Sequence, residues 1–157
     1  MPRAWRIIKR KYADHAFDGE GSRLYGSRWT NPGHPVAFAA ETLSLAVLEV
    51  LVHLQSSAAL VDYATFTVDF AERLVEDLDP AILPVNWRDY PAPPAVRTLG
   101  DAWVRQVTSC LLRVPNAIIP HEHNYLINSA HNHFAQLLIT GPIPLDVDPR
   151  VFRRVRH

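Results

Sequence analysis

Glu49 and His53 stand four residues apart in ETLSLAVLEVLVHL, a run that is otherwise apolar from Leu43 to Leu54 except for Ser44. At 100° per residue the two share one stripe of a helix, and they are the only ionisable side chains between Thr42 and Gln55. A carboxylate in such surroundings is costly unless it is paired or hydrogen-bonded. Held in place, it can steady positive charge developing on a sugar carbon or accept a hydrogen bond from a ribose hydroxyl. A second chemical signal comes from Asp18–Pro35 (DGEGSRLYGSRWTNPGHP), which carries four of the six glycines and two prolines. The composition predicts a long ordered loop, and loops of this length inside a compact domain tend to be functional. Arg28 in this loop offers a planar fork suited to phosphate oxygens, with Arg23 in the same loop and Arg6 in the flanking segment. The residue types leave open a plainer alternative, a structural ion pair of Glu49 with Arg28 or His53.

Other chemistries have weaker support. His121 and His123 (HEH) and His131 and His133 (HNH) form two HxH pairs, and on a strand each pair would turn both imidazoles to one side, as a metal site needs. The surrounding HEHNYLINSAHNH is rich in turn formers, so loop-bracing histidines are the alternative, and no metal is expected. Cys110, the lone cysteine, falls at the apolar end of a predicted helix, where burial suppresses thiol reactivity. It is read as core. The sequence contains no GxSxG elbow, GxxxxGK[ST] phosphate loop or HExxH helix, and the glycines of GEGSRLYG have the wrong spacing for a dinucleotide fingerprint.

The elements that must position these groups follow from pattern. Trp5–Lys9 and Val36–Ala40 read as strands, the second leading into a helix from Glu41 or Thr42 to about Leu54 with apolar residues on both of its sides. Val61–Phe70 is rich in β-branched and aromatic residues and predicts a half-buried strand with Ala64, Phe66, Val68 and Phe70 on one face. An acidic helical turn is expected at Glu72–Leu78. Asp79–Pro94, with five prolines, is expected to be a fixed non-helical connection. Thr98 is placed as the cap of a helix from Leu99 to about Cys110, with Trp103 and Val107 inward. Leu111–Pro120 and Phe134–Thr140 complete the strands, and Arg150–Arg156 is a short basic helix or tail. The elements do not alternate as in a doubly wound protein, so the fold class is α+β.

Length and charge narrow the function classes. The 157 residues suffice for one core, so a single domain over residues 1–157 is expected. Sixteen basic and sixteen acidic groups cancel, which argues against bulk electrostatic capture of nucleic acid or acidic lipid. With one cysteine no internal disulfide can form, and no apolar run has the form of a signal peptide or membrane span, so a cytoplasmic location is expected. The fourteen arginines against two lysines carry no functional conclusion.

Three blocks in order, GSRLYGSRW, NPGHPVAFAAETLSLAVLEVLVHL and VPNAIIPHEHNYLINSAH, make the chain resemble the RES family, toxins of bacterial toxin–antitoxin pairs named for an arginine, a glutamate and a serine. The resemblance runs from Trp5 to Arg150. It implies a domain similar to the ADP-ribosyltransferase and diphtheria-toxin fold that takes NAD as substrate. The implied activity is cleavage of the nicotinamide–ribose bond by hydrolysis, phosphorolysis or ADP-ribosyl transfer. An Xre-type helix-turn-helix antitoxin is the implied partner, with DNA reached only through it and no membrane involved. The family arginines fall on Arg6 and Arg28 and the glutamate on Glu49. Phe38 stands where the family usually has tyrosine, and Asn116 stands where it has serine. The resemblance thus assigns Arg28, Glu49 and Asn116 to catalysis, with Arg6 and Phe38 joining them in binding NAD. The alternative is an attenuated or inactive module that mainly binds the antitoxin.

Overall fold

The computed structural model describes residues 1–54 and 62–152. Its frame is a seven-stranded sheet built from β1 (Arg3–Lys9), β2 (Ala37–Ala40), β3 (Tyr63–Asp69), β4 (Val75–Asp77), β5 (Leu111–Pro115), β6 (His123–Ile127) and β7 (Leu138–Pro144). The strand order is β4-β5-β6-β2-β1-β3-β7. All neighbours are antiparallel except β4 and β5. That parallel pair is joined through helix α3 (Pro94–Gln106), the crossover such a pair requires. Helices α1 (Glu20–Tyr25) and α2 (Leu43–His53) complete the frame. The architecture is α+β, as the element order predicts.

The period-two alternation of strand side chains splits the core between the two sheet faces. Ala37, Ala39, Val68, Phe70, Leu111, Tyr125 and Ile127 fill one side. Leu112, Val114 and Leu126 fill the other, against Val96 and Trp103 of α3 and against Trp29. Near its end this second face passes to α2, whose Leu45 and Ala46 pack on Ala40 with Ile7 and Ile119 alongside.

One irregularity of the sheet matters for function. Strand β1 pairs with β3 over seven residues, Arg3↔Asp69 to Lys9↔Tyr63, but meets β2 at a single register pair, Trp5↔Ala40. The sheet therefore opens between β1 and β2, leaving backbone groups of β2 free to take side-chain partners.

Several expectations are corrected. The glycine-rich loop contains the six-residue helix α1, entered through Gly19 and left through Gly26, both at positive φ. Helix α2 is apolar on both sides in sequence, yet Leu48 and Val52 are exposed, because none of the described residues covers that side. Strand β3 is buried on both faces from Ala64 to Val68, since it lies inside the sheet between β1 and β7; Val61 falls outside the described residues. The acidic stretch after it makes only a 3-10 turn, Glu72–Leu74, before continuing as β4.

Helix α3 starts at Pro94, which is well placed in a first turn. Thr98 lies inside it, bonding back to the Ala95 carbonyl, and the helix stops at Gln106 because Val107 adopts the left-handed conformation and is exposed. Strand β6 falls in the histidine- and asparagine-rich segment that composition assigns to turns. Tyr125, Leu126 and Ile127 supply the burial that overrides that composition. At the C-terminal end Pro149–Phe152 forms a 3-10 turn; residues 153–157 of the expected basic segment lie outside the described residues.

Candidate active site

Thr42 caps α2, accepting the Leu45 amide at 3.1 Å, and so fixes the helix start against the sheet. Two turns on, Glu49 points back to β6 and the loop after β5. Its Oε1 accepts Nδ2 of Asn116 and Nδ2 of Asn124, each at 2.5 Å. The two amides also bond each other at 2.7 Å, and Asn124 Nδ2 lies 3.4 Å from the Ala39 carbonyl. Asn116 Oδ1 in turn accepts the amides of Ile118 and Ile119, so this side chain is locked. Burial pushes the Glu49 carboxyl above its ordinary range, while the bonds from Asn124 and Asn116 pull in the opposite direction. Both amides converge on one oxygen, and among the described residues the second has no hydrogen-bond partner. Glu49 is therefore in neither of the ion pairs that its neighbours in sequence allow.

Arg6 enters from the opening between β1 and β2. Its Nε donates to the Ala16 carbonyl at 2.5 Å and its Nη1 to the Phe38 carbonyl at 2.9 Å, a β2 group that β1 does not pair. Among the described residues no carboxylate lies within ion-pair distance of it. Desolvation lowers its pKa to about 10, with Asp18 acting the other way; it remains cationic at neutral pH. A half-buried guanidinium held, among the described residues, by carbonyls and one aromatic face, that of Phe17, keeps its charge available to an anion.

Arg6, Phe38 and Glu49 line one cleft of about 280 Å³, floored by Ala40 and Ala46, with His53 and Tyr63 completing its wall. A second cleft of about 470 Å³ beside Leu83, Trp87 and Arg113 holds none of the residues assigned to catalysis or NAD binding, only His123 of the HEH pair. The smaller one is the chemical candidate, because it combines a half-buried cation with a half-buried acid.

Arg28 is not on the wall of this cleft. Its Nη1 donates to the carbonyls of Trp87 (2.8 Å) and Asp89 (3.0 Å), and burial lowers its pKa against the opposing effects of Asp89 and Tyr90. The segment it holds leads back to the cleft, because the Tyr90 ring faces His53 with centroids 6.4 Å apart. The loop carrying Arg28 is braced from α3. Asp101 accepts the Asn31 amide (2.8 Å) and side chain (2.6 Å), and Gly100 leaves room for the Trp29 carbonyl, which any Cβ there would strike. Arg23 pairs with Glu20 on the surface and does not reach the cleft.

The remaining candidates have structural surroundings. His131 is buried, with Nε2 3.2 Å from the Val107 carbonyl and Nδ1 accepting the His133 amide. Among the described residues no three His, Cys, Asp or Glu side chains gather as a metal site would require. Cys110 lies in the core just before β5 rather than on a helix, and burial raises its thiol pKa to about 11. Asn124 escapes sequence reasoning because its strand does; His53 is visible there only as a neighbour of Glu49, and Tyr63 not at all.

The family model of the RES domain matches residues 3–148. The chain belongs to the RES domain family. A RES relative named Toxin Res, from Yersinia enterocolitica, is 35% identical over 148 residues, covering 94% of this chain and 97% of that protein. A protein of a Sphingobium species named Prs ADP-ribosylating toxin is 30% identical over 155 residues, covering 96% of both. Among solved structures, the MbcT–MbcA toxin–antitoxin complex of M. tuberculosis contains a chain with the same fold as this RES domain. Its TM-score is 0.73 at 20% identity, covering 96% of this chain and 86% of that one.

Proposed function

We infer that this RES domain, residues 1–157, is the toxin of a bacterial toxin–antitoxin pair and acts in the cytoplasm by cleaving the nicotinamide–ribose bond of NAD. The observation that carries the reading is the meeting, in one small cleft, of a carboxylate steadied by two amides and a half-buried guanidinium with no acidic partner among the described residues. Leaving of nicotinamide makes the ribose carbon oxocarbenium-like, and the second Glu49 oxygen faces that charge or takes the adjacent ribose hydroxyl. Arg6 answers the phosphate next to that ribose. Phe38 offers a ring face without a hydroxyl. Asn116 and Asn124 hold the acid, so Asn116 acts through Glu49 rather than on the ribose. Arg28 fixes the segment beside the mouth and keeps Nε and Nη2 for the second phosphate.

The acceptor of the ribosyl group is water, phosphate or a protein side chain, and an Xre-type antitoxin that itself binds DNA is the expected partner. The names of the relatives, toxins and an ADP-ribosylating toxin among them, support the class of activity. Following free nicotinamide from the purified chain, with and without phosphate, tests the reading. Release that is lost in Glu49→Gln is expected; no release above buffer at high enzyme concentration would refute catalysis. The second reading, a module that keeps the site but mainly binds an antitoxin, draws on the missing hydroxyls at Phe38 and Asn116. A large gain in cleavage by Phe38→Tyr with Asn116→Ser would favour it.

A further inference from the structure

As bounded by the described residues, the cleft is small for a whole dinucleotide. At about 280 Å³ it lies at the lower end of ligand pockets, enough for nicotinamide with its ribose and the first phosphate. If the preceding reading of the substrate holds, the adenosine half must lie outside, across the mouth. The sequence from Pro84 to Pro94 supplies an unusual surface there. Tyr90 is 82% exposed and contributes nothing to the core, yet its backbone is firmly held. Arg28 bonds the carbonyls of Trp87 and Asp89, Arg88 bonds the Ala117 carbonyl at 2.9 Å, and Trp87 packs on Trp29 with ring centroids 6.1 Å apart. Four prolines in the same stretch limit its freedom further. An exposed ring on so fixed a segment loses little conformational entropy when it takes a partner.

Its position gives the partner's chemistry. The Tyr90 ring stands 6.4 Å from that of His53, tilted by 50°, and His53 also lines the cleft. That separation and tilt are those of an aromatic pair, so no third ring fits between them; Tyr90, 82% exposed, keeps an outward face for a planar group, with His53 bracing its ring from the cleft side. Arg28, bonded to the carbonyl of the preceding residue Asp89, supplies positive charge next to Tyr90. We propose that Tyr90, braced by His53, is the platform for the purine ring of the substrate, with Arg28 supplying positive charge to the diphosphate from beside it. A planar base joined to a diphosphate is the ligand that this set of groups fits: acid and first cation within, aromatic face at the rim, second cation beside it.

The test compares NAD with nicotinamide mononucleotide, which lacks the adenosine half. Tyr90→Ala should raise KM for NAD about ten- to a hundredfold, the usual weight of one base–aromatic stack. It should thereby erase most of the preference for NAD over the mononucleotide, and Tyr90→Phe should restore that preference. An unchanged preference in Tyr90→Ala, or equal losses on both substrates, would overturn the proposal. Binding of ADP-ribose, followed by calorimetry, separates this outcome from failure of the catalytic reading. If the wild type cleaves neither substrate yet binds ADP-ribose, and the alanine variant alone loses that binding, the platform stands without the reaction. If wild type and alanine variant bind equally, or neither binds, it does not.

Discussion

Asn124→Ala isolates the way the site controls its acid. Wild-type Glu49 is mostly buried, a condition that favours the protonated form, and the Asn124 amide opposes it with a 2.5 Å bond to Oε1. A hydrogen bond to a charged group contributes about 1.5–3 kcal/mol, so removing it lowers the stability of the carboxylate relative to the acid by that order. Since 1.36 kcal/mol is tenfold, the ionised fraction on the acid side of the profile should fall about ten- to a hundredfold. The acid limb of kcat/KM for nicotinamide release should move to higher pH. The Asn116 amide also loses its bond to Asn124 Oδ1, but it keeps the one to Glu49, so the acid stays in place and the rate at alkaline pH should recover. The measurement is the pH profile of both proteins, with folding checked by circular dichroism. An acid limb that stays put, or a loss equal at every pH, would refute the argument that Asn124 tunes the charge of Glu49.

Three further expectations follow from the same structure. Glu49→Gln should raise Tm at pH 7, by about 2–4 °C for each kcal/mol gained. The fold favours the protonated acid, so that contribution is present below the ordinary carboxylate pKa and is lost as pH rises through the raised one; the gain should shrink toward pH 4. A variant that loses stability more at pH 7 than at pH 4 would reverse that sign. Gly100→Ala drives a methyl into the Trp29 carbonyl, and a clash of this kind costs about 1–3 kcal/mol. Urea unfolding should detect it, together with a weaker hold on NAD from displacement of the Arg28 loop. Cys110, with its thiol raised to about 11, should have a thiolate fraction of roughly 10⁻⁴ at pH 7 and react with a disulfide reagent only as fast as the chain unfolds. Rapid labelling of the native protein would contradict its burial.

What the sequence makes legible is the local chemistry. The 100° periodicity puts Glu49 and His53 on one stripe, and both line the cleft. The capping Thr42 and the apolar VAFAA block set the helix and strand around them within a residue or two. What stays hidden depends on distant chain. Strand β6 is masked by its asparagines and histidines, and with it goes Asn124, whose value to the site comes only from lying across from Ala40. Arg28 looks by type like a group facing the acid, whereas its fork holds the Trp87–Asp89 backbone, a segment 59 to 61 residues further on. No local pattern contains that pairing.

The departure of Phe38 and Asn116 from the family residues takes on a different meaning once their surroundings are known. Phe38 contributes through its backbone as well as its ring: its carbonyl anchors Arg6 where β1 and β2 part, a role that tyrosine and phenylalanine fill equally. Asn116 offers two kinds of group at once, an amide for Glu49 and a carbonyl for the Ile118 and Ile119 amides. A serine there has one short hydroxyl for both tasks, and Asn124 would hold Glu49 alone. In this chain, then, asparagine at 116 serves the acid and the loop backbone at once. The opening in the sheet complements that role, since it admits Arg6 to the cleft and leaves charge from the strands, rather than a hydroxyl from the loop, to orient the ligand.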